Sequence, residues 1–362
     1  MRIAMVAPLF EAVPPRLYGG TERVVSVLTE ELVRRGHQVT LFASGDSRTA
    51  AELVACCSRG LRLDPEAGDQ LAYTMIELAE VYRRAGDFDI IHNHTDYLAF
   101  PFARLAATPT LTTTHGRLDR PEVRRVYAAF SEQPLISISA AQRAPLPLAT
   151  WMRTVHNGID LANFRFCPEP GEYLAFLGRI SPEKRPDRAI AIAREVGMPL
   201  VIAAKVDPAD RDYHEQVIRP LIAACPLVEF VGEVDERGKD ALLGGAYAYL
   251  FPIDWPEPFG LTMIEAMATG TPVIAYRAGS VPEVVLDQVT GFVCESVGDM
   301  VRAVGSVTSL DRRACRAQVE RYFSAAAMTR GYEHAYEALL AGQGASLPGT
   351  GVAAAVLVGA AG

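Results

Sequence analysis

Short apolar segments alternate with segments of helical periodicity along most of this chain. Apolar runs bounded by glycine, proline or polar residues begin at Arg2, Gln38, Phe88, Thr110, Leu135, Tyr173, Pro199, Val228, Ala246 and Val273. Helical patterns stand between several of these runs, as at 22–35, where Val24, Leu28 and Leu32 would share one face and Thr21 would cap the helix. Strands that alternate with helices in both halves predict an α/β fold of two doubly wound domains facing each other across a cleft.

The length of 362 residues is typical of two domains. We expect an N-terminal domain over 1–163, a C-terminal domain over 164–323, and a closing helix over 324–341 that packs back on the first domain. The remaining 342–362 are rich in glycine, alanine and valine, a composition that favours a disordered tail.

Charge and cysteine content exclude several classes of protein. The net charge of −8 argues against a nucleic-acid partner. The six cysteines lack the spacing of a metal finger and fit a reducing compartment, so we expect a cytoplasmic protein. No apolar run approaches the roughly 18 residues that would cross a bilayer, although peripheral membrane contact is left open.

The stretch 246–276 carries the strongest chemical signal. It predicts a strand, then a loop held extended by Pro256 and Pro258, then a helix from Leu261. Such a loop at the carboxyl edge of a parallel sheet is where anions bind. Glu257 in the loop and Glu265 in the helix would repel phosphate, so they suit neighbouring sugar hydroxyls. The alternative is that both carboxylates are merely solvated.

Three features of the first half are candidates for the same site. Gly19 and Gly20 precede a helix and allow a phosphate or sugar to approach the backbone, unless they only form a turn. His115 ends a predicted strand, where it could reach a ligand or simply cap the sheet edge. His92 and His94 could bind a metal, but we favour a polar strand end that lines the cleft, because no carboxylate or cysteine completes a ligand set.

The second half contains two cations at the start of a helix. Arg179 and Lys184 flank the loop before Pro186, an arrangement that suits a diphosphate, although a solvated charged loop is the alternative. Neither half has Gly-x-Gly-x-x-Gly after a strand, which disfavours a dinucleotide-dependent redox enzyme.

The string Glu-Pro-Phe-Gly-Leu-x-x-x-Glu-Ala-Met-Ala-x-Gly-x-Pro-Val-Ile-Ala, which starts at Glu257, resembles the Glu-x7-Glu signature of retaining family 4 glycosyltransferases with the GT-B fold. Gly-Gly-Thr-Glu-Arg-Val-Val from Gly19 is similar to the glycine loop of the same family. The segment 154–160 resembles its domain junction, with His156 where the family has proline. The resemblance covers about residues 1–341.

The resemblance implies a retaining, metal-independent hexosyltransferase that needs no cofactor. Its donor would be a nucleoside-diphosphate sugar, with UDP-glucose the first choice, and its acceptor a small molecule, a lipid or a glycan. Arg179 and Lys184 would hold the diphosphate. Glu257 would bind the sugar hydroxyls, Glu265 the ribose, and His115 the region of the sugar's primary hydroxyl.

Further donor-binding positions implied by the family are Gly19, Gly20, Glu233, Val234, Phe259, Gly260 and Leu261. Two rival functions remain open at this point. One is a sugar-nucleotide 2-epimerase of the same fold, and the other is a catalytically silent protein that binds sugar nucleotides.

Overall fold

A computed structural model describes residues 1–343 as two parallel β-sheets, each flanked by helices. The first sheet has seven strands in the order β3-β2-β1-β4-β5-β6-β7, and the second has six in the order β10-β9-β8-β11-β12-β13. The strands are β1 Arg2–Val6, β2 Gln38–Ser44, β3 Glu52–Cys57, β4 Ile90–Asn93, β5 Thr110–Thr113, β6 Leu135–Ser137, β7 Trp151–Thr154, β8 Tyr173–Arg179, β9 Leu200–Lys205, β10 Val228–Gly232, β11 Ala246–Phe251, β12 Val273–Tyr276 and β13 Gly291–Cys294. The predicted pair of doubly wound α/β sheets is confirmed.

Most helices connect successive strands, and three follow the last strand within residues 1–343. They are α1 Gly20–Arg34, α2 Gln70–Arg83, α3 Phe100–Ala103, α4 Pro121–Ala129, α5 Ala140–Arg143, α6 Pro186–Val196, α7 Arg211–Tyr213, α8 Arg219–Ala223, α9 Glu236–Gly244, α10 Leu261–Ala268, α11 Val281–Val284, α12 Val297–Ser306, α13 Arg312–Tyr322 and α14 Ala325–Gln343. None of the helices within residues 1–343 is long and apolar enough to cross a membrane.

The strand orders determine where a ligand can bind. Winding reverses between β1 and β4 in the first sheet and between β8 and β11 in the second. At such a reversal the loops leave the carboxyl ends of neighbouring strands in opposite directions, which opens a crevice. The loops that follow β1, β8 and β11 therefore border the cleft between the two sheets.

The last helix joins the second half of the chain to the first. Helix α14 packs Met328, Tyr332 and Tyr336 against apolar residues of α1 such as Val24 and Leu28, all of them buried. The chain passes from α13 to α14 where Ile159 N donates to Phe323 O at 2.9 Å. The predicted boundary at residue 163 lies between β7 and β8.

Several local predictions were wrong. Helix α1 begins at Gly20 with Gly19 as its N-cap, so Thr21 lies inside the first turn and does not cap it. The short strands β3, β7 and β13 were not predicted, because their residues lack a clear apolar alternation. Gly342 and Gln343 belong to α14, although we assigned them to the disordered tail. The rest of that tail lies outside the described residues.

Candidate active site

A cleft of about 740 Å³ lies between the carboxyl ends of the two sheets. Its walls come from loops after β1 and β5 on one side and from loops after β8, β10 and β11 on the other. The twelve residues predicted from the sequence all line it, namely Gly19, Gly20, His115, Arg179, Lys184, Glu233, Val234, Glu257, Phe259, Gly260, Leu261 and Glu265. The fold thus brings into one cavity positions that are up to about 245 residues apart in the sequence.

Glu257 is held in the loop between β11 and α10 by its backbone. Its carbonyl accepts a hydrogen bond from Ser280 N at 3.0 Å. Gly279 adopts a left-handed φ of 52°, and any side chain there would collide with the backbone of Glu257. Trp255 Nε1 donates to Glu257 Oε2 at 3.0 Å. These contacts orient the carboxylate toward the cleft.

Lys184 pairs directly with Glu257. The ammonium group contacts Glu257 Oε2 and lies 4.9 Å from the centre of the Trp255 ring, so a cation–π contact adds to the ion pair. The side chains of Lys184 and Glu257 are only 18% and 11% exposed. A group expected to bind phosphate and a group expected to bind sugar therefore meet at one point.

Arg179, at the end of β8, is the second cation of this wall. Its Nη2 lies 2.5 Å from Glu183 Oε1, and its Nε lies 3.4 Å from Asp210 Oδ2. Arg179 ends β8, and Lys184 lies in the short loop between β8 and α6. Because both line the cleft, both cations can reach a ligand above the sheet edge. Both are paired with carboxylates in this structure.

The start of α10 requires glycine at position 260. Gly260 has φ 80°, and an added Cβ would lie 2.7 Å from Met263 Cε and 3.0 Å from Phe251 Cζ. The backbone can therefore turn sharply into the helix and present the amide groups of its first turn to the cleft. Phe259 is buried beside this turn, and its carbonyl oxygen accepts a hydrogen bond from Ser280 Oγ at 2.8 Å.

Glu265 lies one turn into α10 and makes an ion pair that the sequence did not suggest. Lys239 Nζ, on α9, lies 2.7 Å from Glu265 Oε1 and 2.7 Å from Glu236 Oε1. The side chains of Glu265 and Lys239 are 3% and 9% exposed. The spacing of Glu236 and Lys239 on one helix was visible in the sequence, but nothing there indicated the partner 26 positions later.

Polar contacts cross the rim of the cleft. Tyr18 N donates to Glu233 Oε1 at 3.0 Å, and Lys205 lies 5.0 Å from the centre of the Tyr18 ring. Arg23 of α1 forms an ion pair with Glu236 of α9. Glu233 was predicted as part of a donor-binding strand end, and the structure adds that its carboxylate joins the two halves of the protein.

His115 lies just beyond β5 and faces the cleft. Its Nε2 is 2.8 Å from His94 Nδ1. Burial lowers the pKa of His115 to about 4, so the ring is neutral near pH 7 and acts through hydrogen bonds. Burial also raises the pKa of the nearby Asp96 carboxyl to about 6, against the opposing influence of the backbone amide of His115.

The prediction that His92 and His94 line the cleft is wrong. Both are buried behind His115. His92 Nε2 is 2.8 Å from Thr113 Oγ1, and its Nδ1 is 2.7 Å from Tyr336 OH on α14. Their ring partners are therefore hydroxyls and another histidine. Among residues 1–343 no group of three or more His, Cys, Asp or Glu side chains is arranged to hold a metal ion.

Comparison with known proteins agrees with this architecture. The family described as Glycosyltransferase Family 4 matches residues 18–163, and the family described as Glycosyl transferases group 1 matches residues 163–320. A glycogen synthase of Mycobacterium tuberculosis is 28% identical over 85% of this chain and 86% of its own length.

Two solved structures show the same fold. Sucrose-phosphate synthase from Thermosynechococcus elongatus has a TM-score of 0.76 at 20% identity, over 94% of this chain and 99% of its own. Anabaena HepE in complex with UDP and glucose has a TM-score of 0.71 at 17% identity, over 93% and 100%. This chain belongs to the GT-B glycosyltransferases of family 4. It is a glycosyltransferase, as the resemblance of its motifs implied.

Proposed function

We propose that this protein transfers a hexose, with glucose the first choice, from a nucleoside-diphosphate sugar to a hydroxyl group of an acceptor. The transfer retains the anomeric configuration and needs no metal ion. UDP is the proposed nucleotide. The observation that carries the proposal is that Arg179, Glu265 and the Lys184–Glu257 ion pair all line one cleft. Two cations and two carboxylates suit the groups of a sugar nucleotide, the cations its diphosphate and the carboxylates the hydroxyls of its sugar and its ribose.

Leaving-group stabilisation is assigned to the cations. As the glycosidic bond breaks, negative charge grows on the diphosphate, and prearranged donors are worth roughly 3–4 kcal/mol each in such a position. Lys184, Arg179 and the amides at Gly260 and Leu261 would supply them. Lys184 would then contact the diphosphate and Glu257 together, which links departure of the leaving group to the position of the sugar.

The carboxylates and His115 are assigned to orientation. Glu257, fixed by Trp255 and Ser280, would accept hydrogen bonds from the transferred sugar. Glu265 would accept them from the ribose hydroxyls. His115, neutral near pH 7, would donate or accept a hydrogen bond at the primary hydroxyl of the sugar. In the retaining reaction an oxygen of the leaving diphosphate would take the proton of the attacking hydroxyl.

The choice of UDP and glucose is supported by analogy. HepE, which shares the fold, has been solved with UDP and glucose. The related glycogen synthase is named for a glucose polymer. The rim loops that would select the acceptor differ most among proteins of one fold, so the acceptor is proposed separately below.

Titration calorimetry with UDP tests the proposal. The unmodified protein should bind UDP, and Arg179→Ala combined with Lys184→Ala should abolish binding. The control is Arg277→Ala, which removes an exposed arginine paired with Glu295 away from the cleft. Binding of UDP by the double variant with unchanged affinity would refute the diphosphate assignment. Incubation with the donor alone separates a transferase from an epimerase, since only an epimerase would interconvert donors.

A further inference from the structure

Glu22 is a buried carboxyl that lines the cleft from the side of the first domain. It lies in the first turn of α1 and is 5% exposed. Among residues 1–343 its carboxyl forms no hydrogen bond or ion pair with another side chain. Burial raises its pKa to about 7, against the opposing influence of its own amide and of Arg23. A polar group so enclosed requires a partner, and its remaining opening is toward the cleft.

The turn that carries Glu22 faces the donor-binding helix. A Cβ added at Gly20 would lie 3.6 Å from Leu261 Cδ1, so the first turn of α1 and the first turn of α10 are in near contact across the cleft. A group bound at Glu22 would therefore lie beside the end of the cleft assigned to the donor.

Charge on this wall is unevenly satisfied. Arg23 is paired with Glu236, and Arg62 is paired with Glu11. His115 is neutral near pH 7. The arginines that the first domain contributes to the cleft thus each have a carboxylate partner, whereas the carboxyl of Glu22 is hydrogen-bonded to no other side chain among the described residues. An anion placed here would find no arginine of this wall without a carboxylate partner, and the ionised fraction of Glu22 would repel it in a partly dry environment.

We propose that Glu22 accepts hydrogen bonds from the acceptor substrate, and that this acceptor is an uncharged polyhydroxylated molecule, a sugar or a cyclitol without a phosphate. This inference rests on the function proposed above and adds the class of the second substrate to it. Hydroxyl groups would supply the donors that the carboxyl lacks, and charge-assisted hydrogen bonds of this kind are the strong ones.

Arg62 favours the alternative, an acceptor that carries a phosphate. Its Nη2 is buried without a hydrogen-bond partner and could receive an acceptor phosphate. Its Nε side is taken by Glu11, which neutralises the charge. A comparison of neutral and phosphorylated probes decides between Glu22 and Arg62.

The experiment is a binding titration by saturation-transfer NMR with the full chain. The donor site is filled with UDP-2-deoxy-2-fluoroglucose, and the probes are myo-inositol and myo-inositol 1-phosphate. The unmodified protein should prefer myo-inositol. Glu22→Gln, which keeps the shape and removes the charge, should weaken myo-inositol by about tenfold, the equivalent of one charge-assisted hydrogen bond, and should strengthen the phosphorylated probe. Glu122→Gln, an exposed carboxylate of α4, is the matched control and should change neither.

Three outcomes would overturn the inference: tighter binding of the phosphorylated probe, equal binding by the Gln variant, or no binding of myo-inositol. Binding of UDP-2-deoxy-2-fluoroglucose to the same samples is measured first. If the donor analogue binds but Glu22→Gln does not change the affinity for either probe, the acceptor inference fails and the proposed function stands. If the donor does not bind the unmodified protein, the proposed function fails. Circular dichroism confirms that each variant is folded, and Glu22→Gln introduces no change of volume.

Discussion

Lys239 and Glu265 form a nearly dry ion pair, 2.7 Å between Nζ and Oε1, on two helices of the second domain. Lys239 also pairs with Glu236, which in turn pairs with Arg23 of the first domain. Four alternating charges thus run from α1 to the carboxylate assigned to the ribose. Lys239 fixes the direction of the Glu265 carboxylate, because a buried carboxylate that loses its cation is left with an uncompensated charge.

Replacement of Lys239 by Met should therefore weaken nucleotide binding. We expect UDP affinity to fall by about 10- to 100-fold, which corresponds to the roughly 1–3 kcal/mol of a buried group left without its partner. Calorimetry with UDP and 2′-deoxy-UDP measures it, and the variant should lose any preference for the ribose. Arg277→Met, in an exposed ion pair, is the control. An unchanged preference would mean that Lys239 is only structural.

Substitution of the two carboxylates of the cleft, Glu257 and Glu265, should have different effects on UDP affinity and on turnover. Glu265→Gln is expected to weaken UDP itself, because it removes the charged acceptor for the ribose hydroxyls. Glu257→Gln should leave UDP affinity equal or higher, since Lys184 loses a competing carboxylate, while turnover of the complete donor falls by about 100-fold or more, as for loss of one oriented group. UDP calorimetry and donor turnover are compared for both variants. Equal loss of UDP affinity would show that their roles are misassigned.

Activity should not require a divalent ion. The expectation comes from Arg179 and Lys184, which in the proposed function would supply the positive charge that other glycosyltransferases take from a metal. Turnover of UDP-glucose in excess EDTA should equal turnover in untreated buffer. A loss that Mg²⁺ or Mn²⁺ restores would contradict this account, and a loss that no ion restores would point to the chelator.

The product should keep the configuration of the donor. No carboxylate or imidazole of the cleft was assigned as a base for direct inversion, and the motifs resemble those of retaining enzymes. An α-linked donor should give an α-linked product, with His115 and Glu257 orienting the sugar. Proton NMR reads the anomeric coupling constant of a purified product. A β-linked product would refute both the retaining reaction and the roles of these two residues.

Stability should depend on pH through Glu77. This residue of α2 is fully buried, neither carboxyl oxygen has a hydrogen-bond partner among the described residues, and burial raises its pKa well above the usual range. The folded state must therefore keep a proton that the unfolded chain loses above about pH 4.5. Its contribution to stability is favourable below that pH and declines as pH rises, by about 1.4 kcal/mol per unit until the folded pKa is reached.

Glu77→Gln removes this titration, so the variant should gain stability relative to the parent as pH rises from 4.5 to 8. The measurement is the free energy of unfolding in urea at both values. Glu122→Gln, which alters an exposed carboxyl, should show no such trend. A difference between Glu77→Gln and the parent that stays constant with pH would show that Glu77 is ionised in the folded protein.

The sequence by itself determined the α/β class, the strand-loop-helix units and the residues at their carboxyl ends. Helix α10 begins at Leu261 and α6 at Pro186, as predicted, because glycine and proline act through local backbone geometry. These signals depend on neighbouring residues alone, so they can be read from the sequence without the tertiary structure. The same locality explains why the Glu257 and Glu265 motif could be read from one continuous stretch.

Only the tertiary structure decided which charges are paired. Lys184 with Glu257 and Lys239 with Glu265 join positions 73 and 26 residues apart, and no periodicity connects them. It also decided that His92 and His94 lie behind the cleft, because α14 packs back on the first domain and covers His92 with Tyr332 and Tyr336. Burial, and with it the pKa of each acid and histidine, depends on neighbours brought together by folding, which a linear pattern does not contain.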